Sequence, residues 1–225
     1  MNDRIPLVCL GSGAALSDGR DWSSLLLDGQ ILLDLPPTAI PRMYRLGMDP
    51  TRIEVIFLTH MHADHTFGLP FLLLEYCVRR LRSEPLTIVG PVGIREHTFE
   101  MCDLAWPQLR NNGFGPKVPL RFVEIPEDGS YRANGVAFEA VRMEHFTLDA
   151  FGYRLGYKGR KIAYTGDTGA SAPLDRLLSG ADVALIELTH AHASDDPGHM
   201  DLPAFSALAE ELLRKGTRVI ATHMG

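Results

Sequence analysis

At residues 59–65 the chain reads Thr-His-Met-His-Ala-Asp-His, directly after a mainly apolar run that ends at Leu58. Imidazole nitrogens and carboxylate oxygens are common ligands of divalent metal ions. Because alternate residues of an extended segment point the same way, we expect His60 and His62 to face one position. Asp64 and His65 are expected to turn toward a second position nearby. With only nine histidines in the chain, this clustering favours a metal site over a polar loop.

The composition is that of a globular protein large enough to bury a core without disulfides. Hydrophobic residues make up 45% of the 225 residues and charged residues 22%. The net charge of −6 argues against binding that is dominated by attraction to nucleic acid or to an anionic membrane. RNA is therefore not the favoured partner, and a membrane partner is not expected.

Cysteine usage and the amino terminus predict an unsecreted protein. Cys9, Cys77 and Cys102 are widely spaced and form no Cys-x-x-Cys pair, so we expect apolar packing roles for them and not disulfides or zinc ligands. The first residues show no basic segment followed by an apolar stretch, and the longest apolar run, Leu69 to Leu74, is too short to span a bilayer. We expect a cytoplasmic location.

Hydrophobic patterning predicts an α/β chain with hairpins. Two apolar runs flank Asp28-Gly29, a dipeptide typical of tight hairpins, and a second hairpin is predicted around Gly159. A loop is predicted at Asn111–Pro116, in which Phe114 either lines a pocket or anchors local packing. Helical spacing is found in five segments: Thr38 to Leu46, Gly68 to Arg82, Val92 to Leu109, Ala172 to Leu178 and Leu202 to Lys215. Without a repeat or linker, residues 1–225 are predicted to form a single domain.

The order of these elements favours one architecture over another. Hairpins followed by strand–helix alternation occur twice along the chain. Two sheets face to face with helices outside, a four-layer α/β sandwich, accommodate this order. A doubly wound parallel sheet is the alternative, and the two hairpins make it the less favoured one.

Three further polar residues follow predicted strands. They are His145, Asp167 and His223, and each stands where a strand ends. Active sites of α/β proteins assemble at the carboxyl ends of strands. Since the first motif has too few well-placed donors for two ions, these residues are candidate ligands that complete a second metal position.

Taken together, these residues resemble the metallo-β-lactamase superfamily from about Val8 to the end of the chain. The markers are His-x-His-x-Asp-His at 60–65, the histidine at 145, Gly-Asp-Thr at 166–168 and Thr-His at 222–223. The resemblance implies an αββα four-layer sandwich and two divalent ions. It assigns one ion to His60, His62 and His145, the other to Asp64, His65 and His223, and a bridging role to Asp167.

The resemblance also implies hydrolysis. A water that bridges two such ions loses a proton near neutral pH, and the hydroxide attacks a carbonyl carbon or a phosphorus. Asp64 is expected to orient this nucleophile as well as to bind metal. Family members with glutamate at the position of His62 tend to be di-iron redox proteins, so His62 favours zinc, although these ligands also accept manganese or iron.

His199 points to a branch of the superfamily. Its setting, Pro-Gly-His-Met-Asp at 197–201, is similar to ribonuclease Z and related phosphodiesterases, in which a histidine protonates the leaving oxygen. The alternative is a histidine in a polar loop at a helix start. Glu187 is expected to contact His199 or a metal-binding histidine. His190 and His192 are expected near the site or in solvent, and Asp195 and Asp196 in solvent.

One feature separates the chain from the ribonucleases that process transfer RNA. Those enzymes commonly carry a long Gly/Pro-rich arm between the residues equivalent to His145 and Asp167, where this chain has two predicted strands. We therefore expect a compact phosphodiesterase that acts on small or nucleotide-like esters, and a homodimer is compatible with this. The alternatives are a lactonase or thioesterase acting on a carbonyl ester and, more remotely, a metal-binding scaffold without turnover.

Overall fold

The computed structural model describes residues 4–79, 82, 84–108 and 118–225. The chain divides into two compact units. The first, here called the amino-terminal unit, contains Met1–Gly11 and Asp21–Glu124; the second, the carboxy-terminal unit, contains Ser12–Arg20 and Ile125–Gly225. The single domain expected over residues 1–225 stays a prediction. The predicted loop at Asn111–Pro116, with Phe114, lies outside the described residues.

A mixed six-stranded sheet forms the centre of the amino-terminal unit. Its strands, in both chain and spatial order, are β1 (Leu7–Gly11), β2 (Ser24–Leu27), β3 (Ile31–Leu33), β4 (Val55–Phe57), β5 (Leu86–Pro91) and β6 (Leu120–Ile125). The pairs β1–β2 and β2–β3 are antiparallel, whereas β3–β4 and β4–β5 are parallel. Central strands with parallel neighbours are covered on both faces. All three residues of β4 are accordingly buried.

Among its described residues, this unit contains the helices α1 (Ala39–Arg45), α2 (Ala63–Thr66), α3 (Leu69–Leu74) and α4 (Ile94–Ala105). The helix predicted from Gly68 to Arg82 differs in form, because α3 continues as a π-helical segment over Glu75–Arg79. Leu69, Leu72 and Leu73 of α3 are fully buried in one apolar cluster with strand residues such as Leu32 and Ile56. This cluster holds the segment that follows the metal motif against the sheet.

The carboxy-terminal unit repeats the scheme with a second mixed sheet. Its strands are β7 (Gly129–Ala133), β8 (Val136–Met143), β9 (Ala150–Tyr157), β10 (Arg160–Tyr164), β11 (Val183–Glu187) and β12 (Arg218–Thr222), and its helices are α5 (Pro173–Leu178) and α6 (Leu202–Arg214). The spatial order is β12-β11-β10-β9-β8-β7. Neighbours are parallel from β10 to β12 and antiparallel from β7 to β10.

Short turns form three of the hairpins. Asp28-Gly29-Gln30 joins β2 to β3, Asn134-Gly135 joins β7 to β8, and Lys158-Gly159 joins β9 to β10. The first two residues of each turn have positive φ. Positive φ at both central residues matches the twist of the flanking strands. The hairpins predicted at Asp28-Gly29 and Gly159 are confirmed. Strand β7 was not predicted, since Gly-Ser-Tyr-Arg-Ala has no alternation of apolar residues that marks a strand.

Strand direction explains why the polar residues fall where they do. In the amino-terminal unit Asp34 follows β3 and His60 follows its parallel neighbour β4. In the carboxy-terminal unit β9 is antiparallel to both β8 and β10, so β8, β10, β11 and β12 all run the same way. Their carboxyl ends lead to His145, Asp167, Glu187 and His223 at one edge of the sheet.

The α/β class with hairpin-containing sheets is confirmed, and the doubly wound parallel sheet is wrong because both sheets are mixed. Cys77 and Cys102 are buried as expected, whereas Cys9 is exposed. Within the described ranges, no helix has both the length and the apolar character needed to cross a bilayer.

Candidate metal centre

A buried aspartate organises the metal motif of the amino-terminal unit. Asp34 is fully buried and adopts a left-handed backbone, with φ of 54°. Its Oδ1 accepts a hydrogen bond from the backbone N–H of Thr59 at 2.8 Å. Its Oδ2 accepts one from the Thr59 hydroxyl at 3.0 Å and one from Nδ1 of His65 at 2.8 Å. One carboxylate therefore fixes both ends of the motif.

The same network sets the protonation of two histidines. A carboxylate only accepts hydrogen bonds, so the proton shared by His65 and Asp34 belongs to Nδ1 of His65. The Thr59 hydroxyl donates its proton to Asp34. The oxygen of that hydroxyl therefore accepts a hydrogen bond from Nδ1 of His60, 3.0 Å away. Both imidazoles thus keep the Nε2 lone pair as the one that can bind a metal.

The remaining motif residues lie close to these two rings. The His62 ring stands edge-on to the His60 ring at 4.7 Å between centroids, and His62 is exposed. The rings of His60 and His65 are 4.2 Å apart. Oδ2 of Asp64 lies 3.4 Å from Nε2 of His65. Donors of the four motif residues are therefore gathered within one short segment, at the end of β4 and the start of α2.

The carboxy-terminal unit gathers a second group of donors. Oδ2 of Asp167 lies 3.2 Å from Nε2 of His223, and both side chains are nearly inaccessible. Potential ligand atoms of His145, Asp167 and His199 all lie within 4.8 Å of one another, as do those of Glu187, His199 and His223. His145, which is fully buried, donates from Nδ1 to the carbonyl of Gly198 at 2.8 Å.

Glu187 anchors this second group as Asp34 anchors the first. It is fully buried, and its Oε1 accepts from the N–H of Thr168 and from Nδ1 of His199, each at 3.0 Å. Its Oε2 accepts from the N–H and the hydroxyl of Thr189, both at 2.9 Å. The Thr189 hydroxyl in turn accepts from Nδ1 of His223 at 2.9 Å. The expected contact between Glu187 and His199 is present.

Opposing effects act on the pKa of His199. Burial of the imidazole disfavours its charged form and lowers the pKa, but the hydrogen bond and charge of Glu187 raise it, as do the charges of Asp167 and Asp196. The pKa of His199 ends above its ordinary value. The ring lies parallel to that of His223, with 5.5 Å between centroids and an interplanar angle of 11°.

The donor set fits divalent metal ions. In each unit Nδ1 of the histidines donates to a carboxylate, to a carbonyl, or to a threonine hydroxyl whose own proton is donated elsewhere. Nε2 of each ring is therefore the nitrogen that can bind a metal. The Asp64–His65 and Asp167–His223 donor distances of 3.4 and 3.2 Å match the separation of about 3.3 Å expected around a tetrahedral zinc with bonds near 2.0 Å.

Several residues of these networks were not singled out from the sequence. Asp34 has a visible signal, a lone acid inside the apolar run 31–35. Thr189 and the carbonyl of Gly198 have none, because a hydroxyl or a backbone oxygen in a loop is ordinary. Asp196, expected in solvent, instead accepts hydrogen bonds from the N–H of Gly198 and from Nε2 of His190. It thereby fixes the loop before His199.

Comparisons with known proteins show the family to which the chain is similar. A family model for the beta-lactamase superfamily domain matches residues 30–224. Ribonuclease Z of Oceanobacillus iheyensis is 31% identical over 162 residues, which cover 68% of this chain and 50% of that protein. The chain spans about half the length of the curated relatives that it matches.

Solved structures confirm the fold. Human tRNase Z, short form, superposes with a TM-score of 0.77 at 25% identity, covering 97% of this chain and 92% of that one. The metallo-beta-lactamase fold protein YhfI from Bacillus subtilis gives 0.73 at 17% identity, with coverage of 97% and 85%. The second likeness shows the fold alone.

Replacing Asp34 by alanine is expected to destabilise the protein and to weaken metal binding. It leaves the buried Thr59 N–H and the His65 Nδ1–H without their acceptor, which costs about 3 kcal/mol or more of unfolding free energy. Zinc affinity should fall about 10- to 100-fold, because the ring of His65 loses its orientation. Urea unfolding of the metal-free protein and zinc titration measure the two effects.

The control is Glu100→Ala, which removes an exposed carboxylate from α4 in the same unit. Its unfolding free energy should stay within about 0.5 kcal/mol of the wild type. A loss in Asp34→Ala no larger than that of the control would contradict the role assigned to Asp34.

Proposed function

The chain belongs to the metallo-β-lactamase superfamily, in the branch that includes ribonuclease Z, and on that basis we propose that it is a metal-dependent phosphodiesterase. The observation that carries the proposal is the hydrogen bond from His199 to the buried carboxylate of Glu187, beside Asp167 and His223. A histidine held in this way can protonate the oxygen that leaves a phosphodiester.

We propose the ligand set that the family resemblance implies. One divalent ion is assigned to His60, His62 and His145, and the other to Asp64, His65 and His223, with Asp167 shared. When bound, such ions supply a water that is deprotonated near neutral pH and an electrophile for the phosphoryl oxygen. Zinc suits this set of imidazoles and carboxylates best, and manganese or iron is also compatible.

The chain's own residues orient the reacting groups. Asp34 and Glu187 hold imidazole rings through Nδ1, so the Nε2 atoms need no reorganisation when ligand or substrate arrives. Asp64 has a side chain that is 12% exposed, so besides binding metal it can accept a hydrogen bond from the attacking water. A fixed acceptor at that place would aim the nucleophile.

We assign to His199 the proton that the leaving oxygen needs. Its Nδ1–H is committed to Glu187, so the proton to be transferred is the one on Nε2 of the imidazolium. The side chain is 17% exposed and therefore within reach of a substrate. The alkoxide that leaves a natural phosphodiester is a poor leaving group, which makes a fixed proton donor more useful here than in the cleavage of an activated ester.

Small or nucleotide-like esters are the proposed substrates. Relatives named ribonuclease Z and tRNase Z point to phosphodiesters of RNA. In this chain, however, β9 and β10 fill the stretch between His145 and Asp167, and the net charge of −6 offers little attraction to a polyanion. RNA is not the favoured partner. The homodimer and the cytoplasmic location stay predictions.

A substrate panel separates the phosphodiesterase from the lactonase and thioesterase alternatives. Zinc-loaded protein is expected to hydrolyse bis(p-nitrophenyl) phosphate with a kcat/KM at least about 100-fold above that for short-chain lactones and thioesters, because the ions that the site would hold attract an anionic phosphodiester more strongly than a neutral carbonyl ester. Initial rates by absorbance test this. Faster turnover of a lactone or thioester would overturn the phosphodiesterase, and turnover of none would favour the metal-binding scaffold.

The role of His199 is tested by varying the leaving group. His199→Ala should lower kcat about 100-fold or more on an alkyl phosphodiester, whose alkoxide needs protonation, but much less on bis(p-nitrophenyl) phosphate, whose phenolate leaves without help. His192→Ala, which removes an exposed histidine from the same segment, serves as the control. Equal losses on both substrates would show that His199 does not act as the proton donor.

A further inference from the structure

One exposed aromatic residue beside the site has an unusual backbone. Phe146 directly follows His145 and has a φ of 51°, yet 56% of the residue is exposed to solvent. Left-handed backbone is disfavoured for a bulky side chain, and strain of this kind concentrates at functional sites. Six non-glycine residues in the described part of the chain have positive φ, and three of them are the hairpin-turn residues Asp28, Asn134 and Lys158. The other three are Asp34, His223 and Phe146.

Two of those three have their strain accounted for by the candidate metal centre. Asp34 accepts the hydrogen bonds that hold the motif, and His223 contacts Asp167 and Thr189. Phe146 makes no comparable polar contact through its side chain, since a phenyl ring has no donor or acceptor group. Its position therefore requires a different explanation, one based on the ring itself.

The ring occupies the space beside Gly198 at the edge of the site, which is open because a glycine has no side chain. A Cβ atom added to Gly198 would lie 2.5 to 2.8 Å from three atoms at the far end of the Phe146 ring. The ring therefore rests its tip on the α-carbon of Gly198. Because the carbonyl of the same Gly198 accepts from His145, this contact ties Phe146 to the donor group.

The ring also borders the proposed proton donor. Its centroid is 5.8 Å from that of His199 at an angle of 77°, and 4.9 Å from that of His145. These tilted and T-shaped contacts hold the ring, and 56% of the residue still remains exposed to solvent. A planar apolar surface is thus presented to solvent within one ring's width of the histidine assigned to the leaving oxygen.

We propose that Phe146 is a stacking surface for a planar aromatic group of the substrate, such as a nucleobase attached to the scissile phosphodiester. The proposal rests on the proposed function and adds to it the class of ester that binds best. Stacking on an aromatic side chain tolerates every base, because each base has a π face. The site is therefore expected to select nucleoside esters over alkyl esters without distinguishing strongly among bases.

Kinetics on two esters with the same leaving group test this inference. Adenosine 5′-(methyl phosphate) and ribose 5-(methyl phosphate) release the same methanol and differ only by the base. The wild type is expected to prefer the nucleoside ester about tenfold in kcat/KM, mainly through a lower KM. Phe146→Ala should reduce this ratio to near one. Leu213→Ala, which removes an exposed apolar side chain from α6 in the same unit, should leave it unchanged.

Two conservative variants separate stacking from simple packing. Phe146→Tyr keeps the aromatic face and should keep the preference, whereas Phe146→Leu keeps an apolar side chain over Gly198 and should lose it. If Phe146→Leu behaves like the wild type, the ring serves only to cover Gly198, and the inference is overturned.

A binding measurement makes the inference independent of turnover. Adenosine 5′-monophosphate and ribose 5-phosphate carry the same phosphate and differ by the base. In calorimetric titrations the wild type should bind the nucleotide about tenfold more tightly, and Phe146→Ala should bind the two alike. Base-dependent binding without hydrolysis of any phosphodiester would sink the proposed function and leave the stacking surface in place. Hydrolysis without any base-dependent binding would overturn the stacking surface alone, and binding of neither compound would overturn it as well.

Discussion

Hydrogen bonds donated by Nδ1 of the site histidines are the constraint on which the chemistry proposed for this protein depends. An imidazole can bind a metal or transfer a proton in a defined direction only if its other nitrogen is committed. Here Nδ1 of His65 donates to Asp34, that of His145 to the carbonyl of Gly198, and that of His199 to Glu187. The acceptors are buried carboxylates and a carbonyl, so the tautomers follow from chemistry and do not depend on solvent. Loss of one acceptor leaves a buried donor unsatisfied and a ring free to turn.

Strand direction delivers these groups to the right places. In each sheet a set of strands runs the same way, so the residues after their carboxyl ends share one edge. Short apolar strands such as β4 are buried on both faces and need no polar side chains until they end. The chain leaves each of these strands and turns directly into a polar residue. Rigid strands thus place the candidate ligands that follow them, and the acceptors that orient the imidazole rings lie at a strand end, as Glu187 does, or in loops.

Much of this arrangement could be predicted from the sequence, and the limits have physical reasons. The metal motif, the strand-end residues His145, Asp167 and His223, and the hairpins at Asp28-Gly29 and Gly159 are local patterns of residue type and spacing. The acceptors Thr189 and Gly198 are not, since a hydroxyl or a carbonyl becomes an acceptor for a particular ring only once the chain has folded. Strand β7 also escaped prediction. It depends on pairing with β8 and has little hydrophobic pattern of its own.

Phe146 is another residue whose role the sequence alone does not predict. Its residue type and its place after His145 are visible in the sequence, but its positive φ and its contact with Gly198 arise only in three dimensions. An apolar residue after a candidate metal ligand could equally have turned into the core. Exposure of the ring, together with its strained backbone, is what makes a role toward a planar substrate group the better explanation.

The most direct test of the central claim is the metal content of the folded protein. Protein loaded with zinc and dialysed against metal-free buffer is expected to retain about two zinc ions per chain by atomic emission. Asp167→Ala should retain about one or fewer, and His192→Ala, which lacks only an exposed histidine, should match the wild type. Circular dichroism confirms that each sample is folded. A folded wild-type protein that retains no zinc, manganese or iron would contradict the assignment of this donor set as a metal centre.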